Sequence, residues 1–518
     1  MADQQKFAEE LDASYQFSGA AITLGAGMID GACMTNHLVK IPLKTINRHG
    51  LIAGATGTGK TKSLQLLAEG LSANGVPTLL MDIKGDLSGI AMAGSLNPRI
   101  EERSKKTGVA WSPASFPAEL LSLTAQEGVR LRATASEFGP VLLAKILDLN
   151  ETQQGVLAMI FKYCDDKKLP LLDLEDLKKV LQYIAAEGKA EIEKDYGAVS
   201  TVSSGTILRK VIELEQQGAA GFFGEPSFDP HDLLRTDANG NAFINVIRLT
   251  DIQDRPKLFS TFMLSLLAEV YSSFPEIGDA DKPKLVLFID EAHLIFSDAS
   301  KQLLDQLETT IKLIRSKGVG VIFCTQNPQD IPAVILSQLG LKIQHALRAF
   351  TAADRKTIKT AAENFPESAY YKTDELLTQL GIGEALVTAL NEKGIPTMLT
   401  ATMMCSPSSR MDILTDDEIK KLVQQSQLVR VYNQVLDRDS AFEMLSRRMK
   451  DATESGNGDV KTKASTEKAE KKKTTREEPG SFEKILKSPV VRSMGVAVAG
   501  LVTRSLLGSL GLKSKTRR

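Results

Sequence analysis

A glycine-rich segment after a short apolar run constrains this chain more than any other feature. Residues 54–61 read Gly-Ala-Thr-Gly-Thr-Gly-Lys-Thr, follow the run Gly50-Leu-Ile-Ala and precede a helical pattern that extends from Thr61 to Ala73. This order of strand, loop and helix is the context in which G-x-x-x-x-G-K-[ST] forms a phosphate-binding loop. The glycines let successive backbone N–H groups point at anionic oxygens, and the helix directs its positive dipole end at the same place. The segment therefore predicts a nucleotide site.

The residues of this loop are the candidate nucleotide ligands. The Lys60 ammonium can reach the β- and γ-phosphates, and the Thr61 hydroxyl is a hard oxygen ligand for Mg²⁺. The predicted cofactors are accordingly ATP and Mg²⁺. The predicted nucleotide-binding residues are Gly54, Ala55, Thr56, Gly57, Thr58, Gly59, Lys60, Thr61 and Lys62.

Apolar runs with strand character alternate with helical patterns along residues 1–450. Val76–Asp82, Lys284–Asp290 and Gly318–Thr325 are such runs, and residues 300–317 between the last two repeat apolar residues at helical spacing. This alternation predicts an α/β fold with a mainly parallel sheet covered on both faces.

The interval 110–235 differs, because it consists mostly of amphipathic helical patterns. We expect it to be a helical insertion into one ATPase domain that spans residues 1–450. Strand signals return at 241–249, a short strand pair is expected at 384–390 and 396–402, and residues 416–450 are expected to form a helical end.

Two adjacent carboxylates end the apolar run at residues 284–289. Asp290 can complete the Mg²⁺ shell, and Glu291 can polarise a water molecule for attack on the γ-phosphate. An acidic pair at a strand end can instead cap the next turn, but its place on a second core strand favours the catalytic interpretation. His293 either couples Glu291 to a partner site or simply begins the next helix.

Polar residues also follow two other core strands. Gln326 comes directly after Gly318–Thr325, where a γ-phosphate sensor or a water-orienting group is needed, although a polar cap would fit the same position. Lys84 and Asp86 follow the strand at 76–82. Either of them could contact phosphate, a metal-bound water or a moving substrate, and a plain surface turn is an equal alternative.

Two arginines are candidates for an arginine finger, a cation that stabilises the transition state and often comes from a neighbouring subunit. Arg315 precedes the strand at 318–325, and Arg348 lies in the segment His345-Ala-Leu-Arg-Ala-Phe350. Either residue could instead be an ordinary surface or ion-paired arginine.

The net charge of −1 conceals an uneven distribution. Residues 451–480 carry seven basic and seven acidic groups and almost no large apolar side chain, which predicts a disordered charged linker. Residues 481–518 carry eight basic groups and one acid, a charge of +7 that leaves −8 for residues 1–450. The expected organisation is an acidic body followed by a linker and a flexible basic C-terminal tail.

The apolar part of this tail, residues 489–512, contains 11 residues between Arg492 and Arg504, too few to span a bilayer. It could contact an anionic membrane surface or nucleic-acid phosphates, but a packing helix is the preferred interpretation. The N-terminus is polar and is no secretory signal, and four widely spaced cysteines exclude a disulfide framework. These features predict a cytoplasmic protein.

Seven segments together resemble the HerA–FtsK class of P-loop motor ATPases, and most of all its HerA-like helicase branch, which includes bacterial proteins of the YjgR type. Two of them are generic to NTPases, and the others are more specific to the class. The segments are residues 54–61, 81–89, 131–157, 223–229, 285–296, 315–332 and 344–356.

The resemblance implies a RecA-like core with an additional strand (the ASCE type), with Glu291 as catalytic base, Gln326 as sensor and Arg315 as the trans-acting arginine. It also implies a homo-oligomeric, hexameric ring that translocates DNA. HerA proteins carry an N-terminal β-barrel, whereas 53 residues precede Gly54 here, so we expect that barrel to be missing or reduced to a hairpin. The alternative function is a nucleotide-gated oligomeric binding or scaffold module that does not translocate DNA.

Overall fold

The structure is a computed structural model that describes residues 2–458 apart from 125, 253–254, 279, 297–300, 435 and 437. The predicted linker, 451–480, begins inside the last described helix, which ends at Gly458. The rest of that linker and the predicted tail, 481–518, lie outside the described residues.

The strands of the described residues form one twelve-stranded sheet. They are β1 (Ala21–Ile29), β2 (Ala32–Pro42), β3 (Gly50–Ala53), β4 (Thr78–Asp82), β5 (Ala118–Ser122), β6 (Val129–Arg130), β7 (Ile244–Arg248), β8 (Leu285–Ile289), β9 (Val319–Thr325), β10 (Leu341–His345), β11 (Glu384–Thr388) and β12 (Thr400–Met404). Their order is β2-β1-β12-β11-β10-β3-β9-β8-β4-β7-β5-β6.

The sheet is parallel from β10 to β6 and antiparallel from β2 to β10. The strand before the glycine-rich loop, β3, lies between β10 and β9, and β8 is the next strand beyond β9. Because parallel strands end at the same edge, the segments that follow β3, β8, β9 and β10 meet there. The predicted α/β class and mainly parallel sheet are confirmed.

Helices cover the sheet and form a separate helical segment. In the described residues they are α1 (Ala2–Ser14), α2 (Lys60–Ala73), α3 (Pro98–Thr107), α4 (Ala135–Ile146), α5 (Glu151–Lys167), α6 (Leu174–Ala185), α7 (Lys189–Tyr196), α8 (Thr201–Gln216), α9 (Pro256–Ser273), α10 (His293–Phe296), α11 (Lys301–Ile314), α12 (Ala333–Leu336), α13 (Ala352–Glu363), α14 (Thr373–Gln379), α15 (Asp416–Gln425), α16 (Gln427–Tyr432) and α17 (Ala441–Gly458). No helix in that part of the chain combines the length and the hydropathy needed to cross a membrane.

The hydrophobic core lies on both faces of the sheet. Along β8, Leu285, Leu287 and Ile289 pack into one cluster, whereas Val286 and Phe288 pack into another on the opposite face. Successive strand residues point to opposite faces, so a continuous apolar run is what a strand buried on both sides requires. Each of the four cysteines is a free thiol.

The helical segment is narrower than the interval 110–235 that the sequence predicts. Its helices, α4 to α8, occupy residues 135–216, but β5 and β6 of the same interval belong to the parallel sheet. The strand β5 is hard to recognise because it contains Glu119, whose carboxylate is buried and accepts a hydrogen bond from Arg235 at 2.7 Å. An ion pair made in the folded state thus allows a charged residue in a core strand.

The residues before the glycine-rich loop add the antiparallel edge of the sheet. The strands β1 and β2 form a hairpin, and β1 pairs with β12. The predicted strand pair near residues 384–402 is present as β11 and β12, which pair with each other.

Candidate nucleotide site

The glycine-rich loop leaves the carboxyl end of β3 and enters α2, which begins at Lys60. Gly54, Gly57 and Gly59 have φ angles of 151°, 77° and 121°, values that side-chain-bearing residues rarely adopt. A Cβ atom on Gly54 would lie 2.6 Å from the Cβ atom of His345. Backbone conformation and close packing therefore both require glycine at this position.

The Lys60 ammonium lies inside the curve of this loop. Its Nζ donates hydrogen bonds to the carbonyl oxygens of Gly54, at 2.7 Å, and Ala55, at 3.1 Å. The side chain is buried, and burial, followed by the positive charge of Lys84, lowers the pKa of Lys60. An anion beside this ammonium would offset both effects, which suits a phosphate-binding lysine.

Two other predicted ligands in this region differ in where their side chains lie. Thr61, in the first turn of α2, is half-buried, and its hydroxyl carries the oxygen proposed for Mg²⁺. Lys62 instead donates a hydrogen bond to the carbonyl oxygen of Met411 at 2.6 Å, so its ammonium is engaged away from the loop. Any contribution of Lys62 to phosphate binding would come from its backbone.

Asp290 follows β8 at the edge where the glycine-rich loop lies. It is 5% exposed, and its Oδ2 atom is buried without a hydrogen-bond partner. Burial raises the pKa of Asp290 to about 6, with Lys84 opposing the rise and Glu291 adding to it. Mg²⁺ binds oxygen ligands such as carboxylates, and this oxygen is not engaged by a hydrogen bond. Asp290 and the Thr61 hydroxyl therefore fit this ion.

Glu291 is paired with one cation and lies close to a histidine, although its Oε2 atom is buried without a hydrogen-bond partner. Its Oε1 atom forms an ion pair with Lys84, and its Oε2 atom lies 3.3 Å from Nδ1 of His293. Its φ angle is 46°, which is unusual for a residue with a side chain. His293 is also the first residue of α10, as the second interpretation offered for it by the sequence expects, while a coupling to a partner site stays a prediction.

Gln326 and Arg348 lie at the same sheet edge as the loop. Gln326 is exposed and follows β9 directly, where Thr325 pairs with Ala53 and accepts a hydrogen bond from the Gly54 N–H at 3.3 Å. Arg348 is exposed three residues after β10, the strand on the other side of β3.

Arg315 lies at the opposite edge, before the amino end of β9. The seven residues of β9 correspond to about 23 Å at the usual rise per strand residue. The chain's own loop is therefore out of reach of the Arg315 side chain. Arg315 lines a recess of about 560 Å³ in which Lys44, Arg48, Lys312 and Lys393 also take part, with Glu392 as the acidic member.

His345 is a site residue that the sequence reasoning missed. Its Nε2 atom is 2.9 Å from the Ser63 hydroxyl in α2, and its Nδ1 atom is 2.9 Å from the Glu384 carbonyl oxygen. The side chain is fully buried against the glycine-rich loop. A polar Gln-His pair at the end of an apolar strand was the available signal, but it does not reveal which loop the histidine supports.

Comparison with known proteins identifies the family to which this arrangement belongs. Residues 30–515 match the family described as "Helicase HerA-like C-terminal". The chain belongs to this HerA-like family. The resemblance that the sequence motifs indicated is confirmed.

The HerA-like chain has curated relatives in archaea. It is 29% identical over 307 residues to the protein named "Probable helicase MJECL08" of Methanocaldococcus jannaschii, which covers 50% of this chain and 55% of that protein. It is 23% identical over 371 residues to "DNA double-strand break repair helicase HerA" of Sulfolobus acidocaldarius, and the match covers 70% of this chain and 67% of that protein. It is 26% identical over 360 residues to "DNA import protein CedB" of the same species, and the match covers 67% of this chain and 51% of that protein. The matches thus span about half to two thirds of these relatives' lengths.

Solved structures support the same fold for the HerA-like chain. The bacterial conjugative coupling protein TrwB in complex with sulphate superposes with a TM-score of 0.51 at 14% identity, covering 79% of this chain and 94% of that one. TrwB in complex with the GTP analogue GDPNP gives a TM-score of 0.50 at 12% identity, with 78% and 95% covered. Together with the sheet order, these matches show the P-loop NTPase fold.

We predict that Gly54→Ala weakens binding of an ATP analogue to the glycine-rich loop by at least about tenfold. The new Cβ atom would force the loop away from His345, and alanine does not readily adopt the φ angle of 151° found at residue 54. Equilibrium titration with a fluorescent analogue measures the effect. Gly155→Ala in α5 is the matched control, since its new Cβ atom meets nothing within 4 Å. Unchanged affinity in Gly54→Ala would contradict the role assigned to this glycine.

A second prediction concerns pH. Burial lowers the pKa of His345 from its usual 6.5 to about 4, so the unfolded chain binds a proton in this range that the folded chain excludes. The stability contribution is complete above pH 6.5 and is lost as the pH falls towards 4. Between pH 7 and pH 5, wild type should lose about 2 kcal/mol of unfolding free energy relative to His345→Gln. Denaturant titrations at the two pH values test this, and parallel losses in the two proteins would contradict it.

Proposed function

We propose that this HerA-like protein is an ATP-hydrolysing, ring-forming motor that translocates DNA, with the ATPase in residues 1–450. The observation that carries the proposal is the convergence of Lys60, Asp290, Glu291 and Gln326 at one edge of the parallel sheet. Relatives named as a helicase, a DNA repair helicase and a DNA import protein support DNA as the substrate.

The proposed chemistry is phosphoryl transfer to water. The loop N–H groups and Lys60 bind the phosphates, while Thr61 and Asp290 would hold Mg²⁺, which neutralises charge on the β- and γ-phosphates when bound. Gln326 orients the water molecule, and Glu291 accepts its proton. The water oxygen bonds to the γ-phosphorus as the bond to the bridging oxygen breaks, and ADP leaves with that electron pair.

Assembly into a homo-oligomer, which is hexameric by the family resemblance, supplies the positive charge of an arginine finger to each nucleotide site. Arg315 lies about one strand length from its own site, so we assign it to the γ-phosphate of a neighbouring subunit. The other basic groups of its recess, Lys44, Arg48, Lys312 and Lys393, make this surface suitable for a polyanion such as a triphosphate. Arg348 is the alternative, and its place near the chain's own loop favours action within one subunit.

Measuring ATP hydrolysis with and without DNA tests the proposal. We expect hydrolysis that requires Mg²⁺ and rises when DNA is added, with a stimulation that declines as salt increases because phosphate contacts release counterions. Absence of turnover in the assembled wild type would overturn the ATPase. Turnover that DNA does not change would overturn only the motor.

The charge distribution favours a second candidate, a nucleotide-gated binding or scaffold module. Residues 1–450 carry a net charge of −8, which repels a phosphate backbone except where basic groups are locally concentrated. DNA affinity measured at several salt concentrations with a non-hydrolysable ATP analogue separates the two candidates. Absence of DNA binding at low salt would favour the scaffold.

A further inference from the structure

A rigid turn presents Lys84 to the nucleotide site. The Asp82 carboxylate, at the end of β4, accepts hydrogen bonds from the backbone N–H groups of Gly85, Asp86 and Leu87 at 2.7, 3.1 and 3.1 Å. Asp82 is 1% exposed, so this turn is anchored in the core of the protein. The sequence left a plain surface turn open as one alternative for this segment. That alternative does not account for a turn that is hydrogen-bonded to a buried carboxylate and whose lysine is ion-paired with Glu291.

Lys84 is paired with the proposed catalytic base and also acts electrostatically on the phosphate-binding lysine. Its Nζ atom forms an ion pair with Oε1 of Glu291, whose side chain is 7% exposed, while the Lys84 side chain itself is 39% exposed. Lys84 is also the neighbouring charge with the largest effect on Lys60, whose pKa burial and Lys84 both lower. The carboxylates of Asp290 and Glu291 act electrostatically on both ammonium groups, and Asp86 acts on Lys84 as well.

This arrangement has a consequence for the base. The Lys84 ammonium occupies Oε1 of Glu291, an oxygen that must be open if it is to accept a hydrogen bond from the attacking water. A γ-phosphate entering between Lys60 and Lys84 would offer Lys84 a more highly charged partner than one carboxylate. The ammonium can then move while Glu291 remains in place, since Lys84 is the more exposed and longer side chain of the two.

We propose that Lys84 is a positioning residue that responds to the γ-phosphate: it pairs with Glu291 in the nucleotide-free chain and transfers its ammonium to the γ-phosphate of bound ATP, which frees Glu291 to accept a proton from water. This inference rests on the proposed ATPase function. A site that works in this way binds ATP in preference to ADP, since ADP lacks the phosphate that draws Lys84 away. The pairing of Lys84 with Glu291 also keeps the base inactive until a hydrolysable nucleotide is in place.

Equilibrium binding of a fluorescent non-hydrolysable ATP analogue and of its ADP counterpart tests the proposal. Lys84→Met should lower the preference for the triphosphate by about tenfold or more and leave ADP affinity within about twofold, because a charge-assisted contact to the γ-phosphate is lost. Lys84→Arg should restore part of the preference. Lys178→Met is the matched control, since Lys178 pairs with Glu215 between α6 and α8, away from this site.

A double-variant comparison separates this role from a merely structural ion pair. Glu291→Gln removes the competing carboxylate, so the triphosphate analogue should bind roughly threefold to tenfold tighter while ADP binding is unchanged. The gain should vanish in Lys84→Met/Glu291→Gln, which also avoids leaving Glu291 buried without a partner. An unchanged triphosphate preference in Lys84→Met, or the same gain in the double variant, would overturn the inference. Either result leaves the ATPase proposal intact provided that wild type hydrolyses ATP and Glu291→Gln does not.

Discussion

Replacing Glu291 by glutamine should reduce ATP turnover by at least about a hundredfold while the protein still binds ATP, because the amide cannot accept the proton of the attacking water. The substitution preserves the size and shape of a side chain that is 7% exposed, so packing around it is retained. It also removes a buried negative charge beside Asp290, whose pKa should fall towards the usual value for an aspartate once Glu291 no longer raises it. Nucleotide binding should therefore survive the loss of catalysis.

Steady-state phosphate release and analogue binding, measured on the same preparations, test this prediction. Glu215→Gln is the matched control, because Glu215 is also ion-paired with a lysine but belongs to the helical segment. We expect wild-type turnover from this control. Turnover of Glu291→Gln within about threefold of wild type would show that another group accepts the proton, and the assignment of the base would then be wrong.

Local patterns in the sequence predicted the parts of the site that consist of adjacent residues. The glycines of the loop, Lys60 and the Asp290–Glu291 pair each stand next to an apolar run, and β3 and β8 end where those runs end. The placement of Gln326 followed from the same rule, since the carboxyl ends of parallel strands share one edge.

Contacts between residues distant in sequence could not be predicted in this way. Lys84 and Glu291 are 207 positions apart, and their ion pair depends on β4 and β8 being neighbours in the sheet. His345 and Ser63 likewise meet because β10 lies beside β3. Periodicity gives the type of an element but leaves strand order open. Strand β5 was missed for a related reason, since the Arg235 that compensates Glu119 lies 116 residues away.

The position of Arg315 leads to the other prediction with a large effect. Arg315→Ala should reduce turnover of the assembled protein by about a thousandfold or more, as expected when an arginine finger is removed. Binding of the ATP analogue should change far less, since the glycine-rich loop and Lys60 are at the opposite edge of the same subunit. Arg348→Ala is the comparison variant for the other candidate arginine finger. Arg348 lies at the same sheet edge as the glycine-rich loop of its own subunit.

Mixing inactive variants decides whether Arg315 acts between subunits. Arg315→Ala subunits retain Glu291, and Glu291→Gln subunits retain Arg315, so a site formed between the two kinds has both groups. If Arg315 acts in trans and the sites work independently, a random equal mixture should recover about a quarter of wild-type turnover per site. Mass measurement of the mixture must show that subunits have exchanged. Mixed assemblies without recovered turnover would exclude the trans role, since each subunit would then need its own Arg315 and its own Glu291.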